Sequence, residues 1–378
     1  MGDREIAAAV EVLRSGWLTT GKRAHAFEAA FAERLGVRHA LAVSSATAAL
    51  HLALDAIGVA AGDEVIVPTY TFTACGEVCA YLGARPILAD VGDDYLLSAD
   101  EVDRVGTDRT RAVMPVHLGG LAVDPEPIRQ ALRGHPAAII EDAAHALPAS
   151  VGGTPAGRLG TAAAFSFYAT KTITTGGEGG MLVTDDDGIA GRAARMRLHG
   201  IDADAWNRYG AGGSWFYEVA EAGYKYNLTD LAAAIGHAQL ERVEELASAR
   251  EAIAARYDAA FGASELVELP PRREGDRHAW HLYVIRLQLD ALAIDRAEAI
   301  RLLAAAGIGA SVHFIPLHLH PYYQRVLGYR PGDFPVAERL YERSISVPIW
   351  PGMTEEQVNR VATTVLEVCD GARRPVEV

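Results

Sequence analysis

Through the first 240 residues of this chain, short apolar runs alternate with helical segments. The runs are His39 to Val43, Glu64 to Val67, Arg85 to Ala89, Arg111 to Val116, Ala137 to Glu141, Ala162 to Phe167 and Gly180 to Val183. Between them, helical patterns fill 46–58, 72–82, 124–132 and 188–197. This alternation predicts an α/β fold with a mostly parallel sheet and helices on both faces. It also predicts where a ligand sits, because such sheets bind beyond the carboxyl ends of their strands. Gly-rich turns join the elements without a long linker, and the chain shows no internal repeat or low-complexity tract.

From Thr229 to about Phe261 the pattern reads as one long helix. Leu231, Ile235, Leu240, Val243 and Leu246 fall at helical spacing, and Thr229 is placed to cap it. A surface turn at 270–276 follows. Then come a strand (Leu282 to Leu287), a helix (Arg296 to Ala306, ended by Gly307), a strand (Ile308 to Phe314) and an amphipathic helix (Thr354 to Val368). The expected division is a large unit over 1–245, opening with a helical segment, and a smaller α+β unit over 246–378. A chain of 378 residues holds both.

Composition narrows the function classes. Half the residues are apolar and 22% are charged, as in ordinary soluble proteins. A net charge of −14 argues against non-specific nucleic-acid binding. It still allows a phosphorylated ligand, since local amides and a few cations decide that. Cys75, Cys79 and Cys369 make no disulfide framework, which fits a reducing cytoplasm. Cys75 and Cys79 lie one helical turn apart without partners at metal-ligand spacing, so they read as small buried apolar residues and no metal is expected. No run of 18 apolar residues is present, so no membrane span is expected. No signal peptide opens the sequence. It begins at Met1-Gly2-Asp3-Arg4-Glu5, already in a helical pattern, as though a few native residues precede it.

Two strand ends carry chemistry. Ile139-Ile140-Glu141-Asp142-Ala143-Ala144-His145 is an apolar strand ending in a carboxylate. Phe165-Ser166-Phe167-Tyr168-Ala169-Thr170-Lys171, followed by Gly176-Gly177-Glu178-Gly179-Gly180, is a strand ending near a lysine. Together they read as a pyridoxal 5'-phosphate (PLP) site. A lysine amine can condense with the cofactor aldehyde, and an aspartate can keep the pyridine nitrogen protonated. Asp142 also reads as an ordinary helix cap, with His145 three residues on and able to reach the same side. Ser44-Ser45-Ala46-Thr47-Ala48-Ala49-Leu50 opens a helix after a strand, either as a plain N-cap or as an anion cradle for a phosphate. Phe72, in Pro68-Thr69-Tyr70-Thr71-Phe72-Thr73-Ala74, reads as core packing or as an aromatic stacked on a flat ring.

In this order, these motifs resemble the DegT/DnrJ/EryC1/StrS family of PLP-dependent nucleotide-sugar aminotransferases, of fold type I. The likeness also runs through Ser15-Gly16-Trp17-Leu18-Thr19-Thr20-Gly21, Gly62-Asp63-Glu64-Val65-Ile66-Val67-Pro68, Gly83-Ala84-Arg85-Pro86 and Val116-His117-Leu118-Gly119-Gly120. It implies Lys171 as the cofactor lysine, Asp142 as the pyridine-nitrogen partner and His145 as a ring contact. Ala46, Thr47 and Ser166 become phosphate contacts, with Ala46 standing where Gly is common, and Phe72 the ring-stacking aromatic. The segment Tyr224-Lys225-Tyr226-Asn227-Leu228-Thr229-Asp230 would reach the cofactor phosphate of a neighbouring subunit, through Lys225 or through Asn227, which stands where Arg is common. That implies a homodimer with shared sites. His313-Phe314-Ile315-Pro316-Leu317-His318 resembles a substrate-side motif, and Trp17, Trp215 and His318 are candidates to line the sugar cleft.

The activity implied is amino transfer from L-glutamate to a nucleotide-linked ketosugar. Glu178 and the 224–230 segment resemble members that act at C4, such as those aminating 4-keto-6-deoxyhexoses. Action at C3, or on a ketocyclitol, is the alternative. Dehydratases of the same family replace the lysine by His, and a non-catalytic DNA-binding regulator would need a helix-turn-helix that does not stand out here.

Overall fold

The structure is a computed structural model, and it describes residues 1–132, 134–201 and 217–375. Nine strands come first among the described residues: β1 (His39–Val43), β2 (Glu64–Pro68), β3 (Arg85–Ala89), β4 (Thr110–Val113), β5 (Ala138–Asp142), the short β6 (Ser150–Val151) and β7 (Thr154–Pro155), β8 (Ala162–Ser166) and β9 (Gly180–Thr184). Seven of them form one sheet in the order β1-β9-β8-β5-β4-β2-β3. The pairs from β8 through β5, β4 and β2 to β3 are parallel. β9 runs antiparallel to both β8 and β1. No helix crosses over between β8 and β9, so the chain returns the opposite way. The sheet is the mostly parallel one that the sequence predicts, with one reversed strand.

Both sheet faces are buried, which is why its strands read as near-continuous apolar runs. Alternate side chains divide between two cores. Leu41, Val43 and Leu182 enter one, with the helix Ala46–Ala56. Ala40, Ala42, Met181 and Val183 enter the other, with Phe27 and Phe31 of the helix Lys22–Leu35. A third core is built from Tyr257, Phe261, Tyr283, Ile285, Val361 and Val365, toward the C-terminus. Its sheet is antiparallel, β10 (Val267–Glu268), β11 (Tyr283–Leu287) and β12 (Ser344–Val347). Residue 245 falls in the first turn of the helix Val243–Phe261. That helix starts in the second core with Val243 and ends in the third with Ile253, Tyr257 and Phe261.

Two expectations need correction. The long helix from Thr229 to Phe261 is two helices, Asp230–Leu240 and Val243–Phe261. Thr229 does cap the first, accepting from the Ala232 N–H at 3.2 Å. The break falls at Glu241–Arg242. There Gln239 and Arg242 both donate to Oε1 of buried Glu5, at 2.7 and 3.1 Å. The second correction concerns Ile308 to Phe314, which is irregular and joins β12 only through the Ser311–Ser346 bridge. His313 and Phe314 instead line a cavity wall, with His313 still bonded to Ser346 of β12.

Candidate active site

The parallel strands bring the carboxyl ends of β2, β5 and β8 to one edge, and β9 begins there because it runs the other way. A cavity of about 490 Å³ lies at this edge. Its wall includes Ala46, Thr47, Phe72, Asp142, His145, Ser166 and Lys171, so seven candidates drawn from four separate stretches of sequence meet around one space.

Ser45 caps the helix Ala46–Ala56, its hydroxyl accepting from the Ala48 N–H at 3.1 Å. Ala46 and Thr47 occupy the first turn, where amides lack intrahelical acceptors and the helix dipole favours an anion. Cap and cradle are therefore compatible readings of one segment. Gly180 opens β9 directly against this turn. A Cβ there would lie 2.4 Å from the Ser45 carbonyl carbon, so only glycine permits the approach.

Asp142 ends β5 and is 6% exposed. Its Oδ1 accepts from the Ala144 N–H at 3.0 Å, and its Oδ2 accepts from the Cys75 thiol at 3.1 Å. The preceding residue points to the opposite sheet face, as strand alternation requires. There Glu141 takes bonds from the Gly157, Leu159 and Gly160 amides and pairs with His117 at 2.9 Å, holding a loop together.

Lys171 lies on the loop between β8 and β9, its N–H donating to the Tyr168 carbonyl at 3.0 Å. Burial pulls its ammonium down to about 8, against the opposite pull of Asp142. Lys171 thus holds a sizeable neutral fraction near neutral pH, which a surface lysine lacks. Three histidines surround it. His145 accepts from the Gly119 N–H through Nδ1 at 3.2 Å and packs on His281 with ring centroids 4.2 Å apart. Burial drives the pKa of both well below the usual histidine range, and the Lys171 charge adds to this. His313, held by Ser346 Oγ at 2.9 Å, is lowered by burial and then by Lys171. A neutral histidine cluster therefore adds no competing positive charge around the lysine.

Phe72 is 56% exposed at the cavity mouth, 5.6 Å from the Phe314 ring. The helix that the sequence begins at 72 starts at Ala74, leaving Phe72 in the loop before it. Core packing belongs instead to Tyr70, which is fully buried.

Other candidates lie elsewhere. His318 is fully buried, its Nδ1 at 2.7 Å from Thr69 Oγ1 and its Nε2 at 2.9 Å from Glu338, so neither nitrogen is left for a sugar. Trp17 donates to the Thr20 carbonyl at 3.3 Å and lines neither this cavity nor the adjoining one. Trp215 lies outside the described residues. Lys225 is exposed, and the Asn227 amide donates to Thr20 Oγ1 at 2.7 Å; neither lines the cavity.

The sequence reading missed Cys75 and His281. Cys75 had signalled only smallness. His281 precedes an apolar strand without a motif of its own, yet it stands between this cavity and a second one of about 1000 Å³. Lys171, Thr170 and His313 are shared by the two cavities as well.

These residues fit a cofactor with an aldehyde, a basic ring nitrogen and a phosphate. The amine is partly neutral, the buried carboxylate faces the same space, a helix N-terminus lines it and an exposed aromatic borders it. Comparison with known proteins agrees. The model of the DegT/DnrJ/EryC1/StrS aminotransferase family matches residues 1–366. The spore coat polysaccharide biosynthesis protein SpsC of Bacillus subtilis is 44% identical over 375 residues, 98% of this chain and 96% of SpsC. Spr1654 of Streptococcus pneumoniae, described as a sugar aminotransferase, superposes in its PLP form with a TM-score of 0.91 at 30% identity, over 98% of this chain and 97% of that one. PseC of Helicobacter pylori, an aminotransferase involved in the biosynthesis of pseudoaminic acid, does so with a TM-score of 0.91 at 28% identity, over 98% and 97%. This chain therefore belongs to the DegT/DnrJ/EryC1/StrS aminotransferase family, as a sugar aminotransferase that works with PLP.

Proposed function

We propose that the protein moves an amino group from L-glutamate to C4 of a nucleotide-linked 4-keto-6-deoxyhexose, as a cytoplasmic homodimer with shared active sites. The observation that carries the catalytic part is Lys171, partly buried at the carboxyl edge of the sheet, with its ammonium pulled down to about 8 beside Asp142. Bound PLP supplies an electron sink for the C–H bond that must break.

The residues around it divide the remaining work. Asp142 holds a proton on the ring nitrogen by charge, from a carboxylate fixed at both oxygens. Ala46, Thr47 and Ser166 hold the phosphate at the helix N-terminus. Phe72 and His145 border the ring. Lys171 Nζ takes the proton from the glutamate Cα and returns it on the other side of the transfer, and then works in reverse on the sugar. A desolvated amine near neutral pKa suits both directions.

The acceptor assignment rests on Glu178 and the 224–230 segment, supported by the room available. A cavity of about 1000 Å³ shares Lys171 with the cofactor pocket and is large enough for a nucleotide-linked sugar. Lys225 and Asn227 stand outside the cavity of their own chain, which supports a role toward a partner's phosphate. Three free buried cysteines support a reducing cytoplasm. Among the described residues, no helix is long and apolar enough to cross a membrane.

The test is incubation with L-glutamate and a panel of nucleotide-linked 3- and 4-ketosugars and free ketocyclitols, with products identified by mass spectrometry and NMR. A 4-amino nucleotide sugar is expected. Clear preference for a 3-ketosugar or a ketocyclitol would overturn the acceptor assignment and leave Lys171 chemistry intact.

A further inference from the structure

We propose that Cys75 is a positioning residue for the reaction: its thiol donates to Asp142 Oδ2 and fixes the carboxylate that faces the cofactor. The inference rests on the reading of Asp142 as the ring-nitrogen partner. Cys75 lies in the first turn of the helix Ala74–Tyr81, and its Sγ is 3.1 Å from Asp142 Oδ2. On its other side Thr71 Oγ1 lies 3.4 Å from Sγ, so the thiol is held between a hydroxyl and a carboxylate. Both Cys75 and Thr71 are buried, and Asp142 lines the cavity.

The geometry explains why this contact matters. Asp142 receives one bond on each oxygen, from the Ala144 amide on Oδ1 and from Cys75 on Oδ2. Two anchors on opposite oxygens set the rotation of the carboxylate plane and leave its remaining lone pairs for the ring nitrogen. Without the thiol, Oδ2 loses its anchor and the carboxylate plane can rotate away from the ring nitrogen. The thiol itself stays protonated, and so remains a donor, because burial and then the Asp142 charge push it well above the ordinary thiol range. Cys79 shows the contrast on the same helix: its Sγ donates back to the Cys75 carbonyl at 3.2 Å and not to Asp142. Sequence spacing made the two cysteines look equivalent, and the first turn of the helix makes them different.

Two arms test the inference. In the cofactor-free protein, the infrared S–H stretching band of Cys75, assigned by its loss in Cys75→Ser, is expected at lowered frequency. It should rise when Asp142→Ala removes the acceptor. A band that does not move overturns the thiol–carboxylate bond, whatever the cofactor does. In the PLP-loaded enzyme, Cys75→Ala should slow the glutamate half-reaction about tenfold, the cost of one hydrogen bond to a charged group. KM for glutamate should be unchanged, since Cys75 does not line the cavity. The pH at which the bound cofactor changes its visible spectrum should shift as well. Cys75→Ser, which restores a donor, should stay within about threefold of the wild type in the same measurement. Wild-type kinetics in Cys75→Ala, or equal damage in Cys75→Ser, would overturn the positioning role. Asp142→Asn run in parallel separates the two ideas. If it too kept full turnover, the Asp142 reading would fail rather than the Cys75 one. Should Cys75→Ala fold poorly by circular dichroism, the infrared arm and Cys75→Ser still decide.

Discussion

Ser166 pairs with Gly180 at the ends of β8 and β9, so the loop between them leaves and returns at a single edge of the sheet. Lys171 sits on that loop, opposite the end of β5 where Asp142 stands, and β5 is the parallel neighbour of β8. The lysine and the carboxylate meet because a hairpin replaces a crossover helix at this one point of an otherwise parallel sheet. The arrangement puts the amine in a cavity where burial outweighs the charge of Asp142 and brings it down to about 8.

The pKa of Lys171 sets how the protein takes up its cofactor. An aldehyde is attacked by the neutral amine, and folding favours that form. Below about 8 the rate of PLP uptake by the cofactor-free protein should rise about tenfold per pH unit, then level off above it. Stopped-flow absorbance across that range checks this. Lys171→Ala and Lys171→Arg should fold, lose the yellow colour of the loaded enzyme and lose turnover. Normal turnover in Lys171→Ala would show that the wrong lysine has been chosen.

Asp142→Asn tests charge against shape. The amide oxygen can still accept the Ala144 bond, and the NH2 that replaces Oδ2 can turn toward the Cys75 sulfur, so the fold and PLP binding should survive. It cannot hold the ring nitrogen protonated by charge. The glutamate half-reaction should slow by about a hundredfold or more, comparable to losing one strong electrostatic contact in a buried site. Single-turnover spectra of the bound cofactor measure it, and an unchanged rate would remove Asp142 from this role.

Gly180→Ala probes the closeness of β9 and the Ala46–Ala56 helix. The added methyl meets the Ser45 backbone at 2.4 Å, and backbone cannot swing away as a side chain can. A loss of about 1–3 kcal/mol in stability is expected, the usual cost of overpacking. Cofactor affinity should weaken too, because the displaced turn carries Ala46 and Thr47. Thermal unfolding with and without PLP separates the two effects. A variant with wild-type stability and affinity would mean the contact relaxes freely.

Much of this was legible in the chain because periodicity and strand ends report on topology. The β/α alternation placed the sheet, and the strand-end rule placed Asp142, Ser166 and Lys171 around one cavity before any coordinates. What stayed hidden depends on pairing between distant segments. Glu5 takes bonds from Gln239 and Arg242 beside the helix break, from more than 200 residues away. His318 looks like a site residue in its motif, but Thr69 and Glu338 take both its nitrogens. Cys75 looks inert until Asp142 is seen beside it. Periodicity describes which face a residue occupies, and it is silent on which distant group waits there.

Lys225 and Asn227 carry the last prediction, which concerns the shared site. Both stand outside the cofactor cavity of their own chain, and Lys225 is exposed, so its charge can be reversed without disturbing a core. In a dimer with crossed contributions, Lys225→Glu combined with Asn227→Asp places negative charge against the partner's cofactor phosphate and should abolish turnover. Lys171→Ala abolishes it by another route. Mixing the two inactive proteins under subunit exchange forms heterodimers in about half of the population. In each, one site combines an intact Lys171 with an intact 225–227 segment from the partner. Recovered activity should approach about a quarter of the wild-type value, since half the dimers hold one working site of two. Higher dilution should reduce the recovery only where dimers dissociate. A fully active monomer in sedimentation, or no recovery after proven exchange, would place both residues in a role confined to their own chain.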